Sequence, residues 1–272
     1  MVIPVHDVNP VRRTPWVTYA LIVANVVVFL ATPGVSGSVT GSSTLAQLCH
    51  AQAFTEHWAL VPRELIHHRM PSLVPTGAVG VGVHGPGCVL GPPAYGKSPV
   101  LSVLTAMFLH GSWLHLLGNM LFLFIFGNNV EDRMGHLRFA LFYVVCGYAA
   151  GYGFALLDAD SGQPLIGASG AIAGVLGAYL VLYPRARVWV LVPFLIFLPL
   201  RLPAWIVLGF WFVLQAFYSA GEGVFDAGTV AYAAHVVGFV VGMLIALPLR
   251  PGTPPPPKPR GLVFGRRARP GW

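Results

Sequence analysis

Acidic residues are rare in this chain of 272 residues: only nine are Asp or Glu, and charged residues make up 9% of the whole. Soluble domains usually have about a quarter of their residues charged, so that class is excluded. The 56% of hydrophobic residues indicate an integral membrane protein. No Asp or Glu falls inside a long apolar segment. This absence excludes an intramembrane aspartyl protease and argues against a transporter, which usually needs intramembrane carboxylates.

Cysteine is also scarce, with three residues and no CxxC pair, and the HExxH pattern of zinc proteases is missing. The sequence therefore predicts no metal site and no cofactor. Cys49 and Cys88 lie in one long loop and could form a disulfide if that loop is extracytoplasmic, but the sequence leaves both states open. Cys146 lies in an apolar segment and is interpreted as an ordinary buried residue.

The net charge of +7 could indicate a nucleic-acid partner, but the basic residues flank apolar segments and no nucleic-acid-binding motif is present. The lipid bilayer is the predicted partner instead. Placing both termini on one side of the membrane leaves only Arg63, Arg69 and Lys97 on the other side. The positive-inside rule then predicts a multi-pass protein of the bacterial plasma membrane with both termini cytoplasmic.

Six apolar segments are interpreted as membrane spans. They cover about 16–32, 101–128, 137–157, 169–183, 202–218 and 229–247. The predicted fold class is an all-α membrane protein, a bundle of six transmembrane helices that forms one domain over residues 16–248.

The other segments are interpreted as tails and connections. The predicted cytoplasmic tails are residues 1–15 and the Pro/Arg-rich residues 249–272. Residues 33–99 are predicted to be a long extracytoplasmic loop, in which 53–68 could form a helix on the membrane surface. The prolines in 185–202 predict a membrane-hugging connector, and the glycines in 219–228 a loop. The charged turn at 131–135 is expected to form interfacial ion pairs and helix caps.

Ser169 stands among glycines and alanines at the start of the fourth span. The spacing of Gly170 and Gly174 is typical of close helix crossing, and packing alone is one interpretation. His235 in the sixth span, followed by Gly238, favours a second interpretation, in which Ser169 and His235 form a catalytic pair. Helices that cross at their glycines would bring Ser169 within hydrogen-bond reach of His235, and an imidazole can take the proton that makes a hydroxyl nucleophilic.

Two polar residues of the second span could complete such a site. His115 and Asn119 are four residues apart, so they share a helix face, and they could donate to an oxyanion together with the Ser169 backbone N–H. Hydrogen bonding between helices is the alternative role. Polar residues in membrane spans are costly, so the four found here together, His110, His115, Asn119 and His235, favour a functional site. No carboxylate is available to orient His235, so a Ser-His dyad is predicted rather than a triad.

These motifs resemble the rhomboid family of intramembrane serine proteases. The match covers about residues 16–247 and rests on four segments: Gly167-Ala168-Ser169-Gly170, Ala234-His235-Val236-Val237-Gly238, His115-Leu116-Leu117-Gly118-Asn119 and Glu131-Asp132-Arg133-Met134-Gly135. One departure is Ala173, which stands where many relatives have an aromatic residue that packs against the histidine.

The resemblance implies a serine endopeptidase that hydrolyses peptide bonds in or near the transmembrane segments of single-span proteins. It implies that Ser169 is the nucleophile, that His235 is the general base, and that His115 and Asn119 form the oxyanion hole with the Ser169 amide. The residues implied in support are His110, Gly167, Gly170 and Gly238. The alternative function is a proteolytically silent rhomboid-like protein that binds membrane clients. The oligomeric state is left open.

Overall fold

The computed structural model of the chain describes residues 3–9, 11–33, 43–82, 85–93, 96–192, 198–225 and 232–250. Most of the predicted C-terminal tail lies outside these ranges. So do residues 226–231, which belong to the predicted last loop and to the start of the predicted sixth span.

Helices make up most of the described chain. They are α1 (Trp16–Ala31), α2 (Leu45–Trp58), α3 (Pro62–His67), α4 (Pro99–Ala106), α5 (Trp113–Met134), α6 (His136–Leu157), α7 (Ser169–Leu182), α8 (Ala204–Phe225) and α9 (Tyr232–Ala246). α5 contains a π-helical turn at Leu123–Gly127, and a 3-10 turn at Leu247–Leu249 continues α9.

Membrane-spanning length separates these helices into two groups. Among the described residues, three stretches are long and apolar enough to cross a membrane: Trp113–Met134, His136–Leu157 and Tyr232–Leu249. Three apolar helices are shorter: Trp16–Ala31, Ser169–Leu182 and Ala204–Ala220. The predicted fifth span is too short, because α8 continues to Phe225 through much of the predicted loop 219–228.

The prediction of an all-α fold is wrong, because the described chain also contains two antiparallel sheets. β1 (Ile3–Asp7), β4 (Arg187–Val192) and β5 (Leu198–Pro203) form a three-stranded sheet with β4 in the centre. β2 (Val74–Gly82) and β3 (Gly85–Gly91) form a hairpin. The fold is therefore mostly helical, with sheet added in the segments that connect or precede the apolar helices.

The three-stranded sheet occupies segments that the sequence predicts as irregular. β1 lies in the predicted N-terminal tail, and β4 and β5 lie in the predicted connector. Val188 and Val190 of β4 are fully buried, whereas Arg187 and Trp189 alternate with them and are exposed. This period of two is the pattern of a half-buried strand, so one face of the connector packs against the helices.

The long loop before α4 is folded as well. Cys49 of α2 and Cys88 of β3 form a disulfide, which resolves the alternative that the sequence leaves open. The single surface helix predicted at 53–68 is instead the end of α2 and all of α3. Leu60, between these helices, and Leu65 pack against α4 and α6, so this segment lies against the protein.

The prediction of one continuous helix over the second span, 101–128, is wrong in its first part. α4 ends early, and α5 begins at Trp113 after a turn that contains His110. Ser112 caps the new helix, because its Oγ accepts a hydrogen bond from the His115 backbone N–H at 3.1 Å. His110 therefore lies in a turn before the apolar helix rather than inside it.

Glu131, near the end of α5, caps the first helix of the bundle. Its carboxylate accepts hydrogen bonds from the backbone N–H groups of Val17 (2.9 Å) and Thr18 (2.7 Å), and from the Thr18 hydroxyl (2.6 Å). The Nδ1 of His136 lies 2.6 Å from the same carboxylate. A carboxylate at a helix N-terminus pairs donors that the helix itself cannot pair. The charged turn thus joins the start of α1 to α5.

α7 is the central helix of the fold. Every residue from Ala171 to Tyr179 is buried, and α6, α8 and α9 pack around it. The helix that begins with Ser169 is therefore held by protein over most of its length.

Asp7, at the end of β1, attaches the sheet to the helices. Its Oδ2 accepts hydrogen bonds from Asn129 Nδ2 on α5 at 2.7 Å and from the Tyr179 hydroxyl on α7 at 2.8 Å. Burial raises the pKa of this carboxyl from 3.8 to about 6, and the hydrogen bond from Tyr179 offsets only part of that effect. Folding therefore favours the protonated carboxyl.

We expect the free energy of unfolding to fall as the pH rises from about 4 to about 6, because the unfolded Asp7 carboxyl ionises before the folded one. At lower pH both states hold the proton. Above about pH 6 the loss of unfolding free energy no longer changes with pH. It is at most about 3 kcal/mol, because each unit of pKa difference corresponds to about 1.4 kcal/mol. Thermal melts in detergent should show a clearly smaller fall in Asp7→Asn, which keeps an acceptor but cannot ionise, than in the wild type. Part of the fall remains, because burial also raises the pKa of Glu56.

The matched control is Asp132→Asn, which changes a carboxylate whose Oδ1 accepts from the exposed Arg13 backbone N–H. This variant should keep the pH dependence of the wild type. A fall of the same size in Asp7→Asn would contradict the assignment to Asp7.

Candidate active site

Ser169 and His235, which the sequence predicts to meet, are in contact. Ser169 is the first residue of α7, and His235 lies in the first turn of α9. The Ser169 Oγ is 2.8 Å from His235 Nε2, which is a hydrogen-bond distance. The geometry allows the imidazole to accept the hydroxyl proton.

Glycines let α7 and α9 cross backbone to backbone at this point. A Cβ added to Gly238 would overlap with the carbonyl oxygen of Gly170, and a Cβ added to Gly242 would overlap with that of Gly174. The close crossing predicted from the glycine spacing is therefore present. It brings Ser169, the residue before Gly170, to His235.

Gln215 on α8 is a third polar residue at this point, and the sequence reasoning missed it. Its Oε1 is 2.6 Å from His235 Nδ1, and its side chain is buried. Its position in an apolar span, where polar groups are costly, could have indicated a functional role. Only carboxylates were considered as partners that orient the histidine. The imidazole thus has a partner at each ring nitrogen.

Trp211, one turn before Gln215 on α8, flanks the same imidazole. The two ring centroids are 5.9 Å apart. α8 therefore supplies the aromatic neighbour of His235 that Ala173, on α7, does not supply.

His115 lies beside the start of α7. Gly167 has a φ of +120°, and a Cβ added there would come within 2.8 Å of His115 Nε2 and 3.7 Å of Ser169 Oγ. Only glycine suits both this backbone conformation and this close approach. The rings of His110 and His115 pack edge to face with centroids 5.0 Å apart, so the turn before α5 also reaches the site.

Asn119 follows His115 by one turn on α5 and is buried. Its Nδ2 has no hydrogen-bond partner among the described residues. Buried polar groups are nearly always paired in folded proteins. The Asn119 amide, on the side of α5 that carries His115, is therefore suited to bind a polar group of a bound molecule.

A small cavity adjoins Ser169. Its volume is about 30 Å³, which is room for two or three water molecules at the roughly 10–15 Å³ that each one needs. The apolar residues that form its walls include Leu60, Val103, Ala106, Met107, Gly147 and Gly151. The space next to the hydroxyl therefore admits a small apolar group.

The apolar helices and the contact between a serine and a histidine define a membrane protein with a polar site among its packed helices. The sequence matches the Rhomboid domain family over residues 97–252, more than half of the chain, so the protein belongs to the rhomboid family. The resemblance predicted from the four motifs is thereby confirmed.

Relatives occur in plants, yeast and bacteria. The chain is 30% identical to RHOMBOID-like protein 1 of Arabidopsis thaliana over 172 residues, or 61% of this chain and 39% of that protein. It is 30% identical to Rhomboid protein 1, mitochondrial, of Saccharomyces cerevisiae over 149 residues, or 53% and 40%. It is 30% identical to Rhomboid protease GlpG of Yersinia pseudotuberculosis over 155 residues, or 56% and 50%. The chain spans half or less of the length of these relatives.

The names of the relatives bear on location. They include a mitochondrial protein of yeast and a chloroplastic protein of Arabidopsis thaliana. The relatives therefore support a membrane protein, and they do not support the bacterial plasma membrane in particular.

Proposed function

We propose that this protein is an intramembrane serine endopeptidase that cuts single-span membrane proteins in or near their transmembrane segments. The observation that carries the proposal is the 2.8 Å contact between Ser169 Oγ and His235 Nε2. A hydroxyl is a poor nucleophile at neutral pH unless a base accepts its proton, and an imidazole at this distance can do so. The similarity to a protein named as a rhomboid protease supports the same activity.

The reaction has two halves. In the first, Ser169 Oγ attacks the peptide carbonyl carbon while its proton passes to His235 Nε2. The C–N bond then breaks as His235 gives this proton to the leaving amine, and an ester to Ser169 remains. In the second half, water attacks the ester, its proton passes to His235, and the proton returns to Ser169 Oγ as the acid product leaves.

Each tetrahedral intermediate places negative charge on the former carbonyl oxygen. We assign the donors for this oxyanion to the Asn119 amide, the His115 side chain and the Ser169 backbone N–H. Asn119 Nδ2, which has no partner in the part of the chain that the structure describes, supports this assignment, because a buried free donor can bind a developing charge.

Replacing Asn119 by Ala is expected to lower kcat by about 10²- to 10³-fold, the usual effect of removing one oxyanion donor. Single-turnover cleavage of a substrate in liposomes measures this loss. Asn25→Ala is the control, since it removes an intramembrane amide whose Nδ2 already donates to the Leu21 carbonyl at 2.8 Å. Wild-type kcat in Asn119→Ala would remove this residue from the oxyanion hole.

We further propose that all six apolar helices cross the bilayer, the three shorter ones included. The Cys49–Cys88 disulfide supports an oxidising, extracytoplasmic location of the long loop, and the basic residues support cytoplasmic termini. Ser169 then lies at the outer end of α7, where water can enter from the exterior.

The small cavity beside Ser169 supports a preference for substrates with a small side chain next to the scissile bond. At about 30 Å³ the cavity is far smaller than the roughly 150 Å³ cavity that binds a benzene-sized group, so a small side chain fits it better than an aromatic one. We therefore propose cleavage after Ala or Gly in a segment whose helix is weak enough to unwind.

The test uses purified protein in liposomes with single-span substrates that carry Ala or Phe before the scissile bond. The wild type should cut the Ala substrate and leave the Phe substrate intact. A fluorophosphonate, which reacts with activated serines, should label Ser169 in the wild type and not in His235→Ala. Binding of both substrates without cleavage or labelling would contradict the proposal and would favour the silent client-binding protein.

A further inference from the structure

We propose that Gln215 is a positioning residue that holds His235 in the one neutral tautomer able to act as a base toward Ser169. The inference rests on the proposed function, since a tautomer matters only if the imidazole takes a proton. It goes beyond a two-residue Ser-His site, because it gives α8 a direct part in preparing the base.

The argument begins at Nδ1 of His235. The atom facing Nδ1 at 2.6 Å is the Gln215 Oε1, an amide oxygen, which can only accept a hydrogen bond. Nδ1 must therefore carry the proton. A neutral imidazole has one N–H, so Nε2 carries none and offers its lone pair.

The consequence appears at the other ring nitrogen. Nε2 lies 2.8 Å from Ser169 Oγ and, without a proton, accepts the hydrogen bond that the hydroxyl donates. The opposite tautomer would point an N–H at Oγ and could not remove its proton. Gln215 thus selects the productive state before a substrate arrives.

The surroundings keep the amide in place. Gln215 is only 4% exposed, so solvent does not compete for its oxygen. Trp211, one turn earlier on the same face of α8, lies against the same imidazole. The two side chains together fix the position and the rotation of the ring.

Gln215 differs from the aspartate of a serine protease triad because it is neutral. During the reaction His235 gains a proton at Nε2, and its Nδ1–H continues to donate to the Gln215 oxygen. A hydrogen bond from a charged donor is stronger than one from a neutral donor, so the contact tightens as the imidazolium forms. No second proton moves to the amide.

The kinetic test compares two substitutions of similar length. Gln215→Met removes the acceptor, and kcat should fall by about 10- to 100-fold, as when other partners that orient a histidine are removed, with little change in KM. Gln215→Glu keeps an acceptor at the same position and should restore most of the rate. Equal loss in both variants, or wild-type kcat in Gln215→Met, would overturn the proposal. The control is Val213→Met on the exposed side of α8, which should keep wild-type kinetics.

The spectroscopic test needs no substrate. In protein labelled with ¹⁵N-histidine, the His235 signals, identified by their loss in His235→Ala, should show a protonated Nδ1 and an unprotonated Nε2. Gln215→Met should lose this single state and show a mixture of tautomers. An unchanged Nδ1–H signal in Gln215→Met would overturn the proposal. If the tautomer shifts as expected but the wild type cuts no substrate, the proposed protease function fails and the positioning by Gln215 stands.

Discussion

Ser169→Ala is expected to reduce cleavage of a membrane-protein substrate to the background rate. In the proposed mechanism this hydroxyl forms the covalent bond to the substrate, and its Oγ lies 2.8 Å from His235 Nε2, the group that would accept its proton. Loss of the nucleophile in a serine protease costs on the order of 10⁶ in kcat, because the members of the site act as a unit. His235→Ala should cause a similar loss, and the double variant should be no worse than either single one.

The measurement is cleavage by equal amounts of each form in liposomes over hours, followed by gel and mass spectrometry. Ser102→Ala is the control, since it removes a buried hydroxyl from α4 that donates to the Pro99 carbonyl at 2.7 Å. It should cut at the wild-type rate. Substantial cleavage by Ser169→Ala would show that another group attacks the peptide and would end the proposed mechanism.

Gly238→Ala is expected to disrupt both the fold and the activity, although it adds only one methyl group. The added Cβ would overlap with the Gly170 carbonyl oxygen, so the two helices would have to move apart. Extra volume in a well-packed core costs about 1 to 3 kcal/mol, and a backbone atom cannot move aside as a side chain can. Separation would also lengthen the distance between Ser169 and His235.

A melting temperature in detergent together with cleavage measures this effect. We expect a fall of roughly 10 °C, since about 1 kcal/mol corresponds to about 2–4 °C at this size, and a large loss of rate. Gly209→Ala on α8 is the matched control, because nothing lies within 4 Å of a Cβ added there. It should be neutral or stabilising. Equal melting of the two variants would contradict the backbone crossing of α7 and α9.

The apolar helices could be predicted well because their signal is local. The boundaries predicted near Trp16, Leu137 and Ser169 agree closely with α1, α6 and α7. The contact between Ser169 and His235 could be predicted because the spacing of the glycines indicates where two helices can cross closely. The break before α5 was missed, since Ser112 looks like an ordinary polar residue until its cap to the His115 N–H is seen.

The three-stranded sheet could not be predicted from the sequence. The alternation of Val188 and Val190 with exposed residues was available, but the apolar content of the segment suggested a membrane surface. The partner strand begins at Ile3, far away in the chain, and no local pattern indicates such a pairing. Gln215 was missed for a different reason, because a neutral amide was not considered as a partner for the imidazole.

The strand β1 has a practical consequence for producing this protein. Through Asp7 it is hydrogen-bonded to Tyr179, which belongs to the same helix that starts with the reacting hydroxyl. Removing β1 would leave the Tyr179 hydroxyl without this acceptor, at the opposite end of the helix from Ser169. Shortened forms of the protein that are compared for cleavage should therefore retain β1.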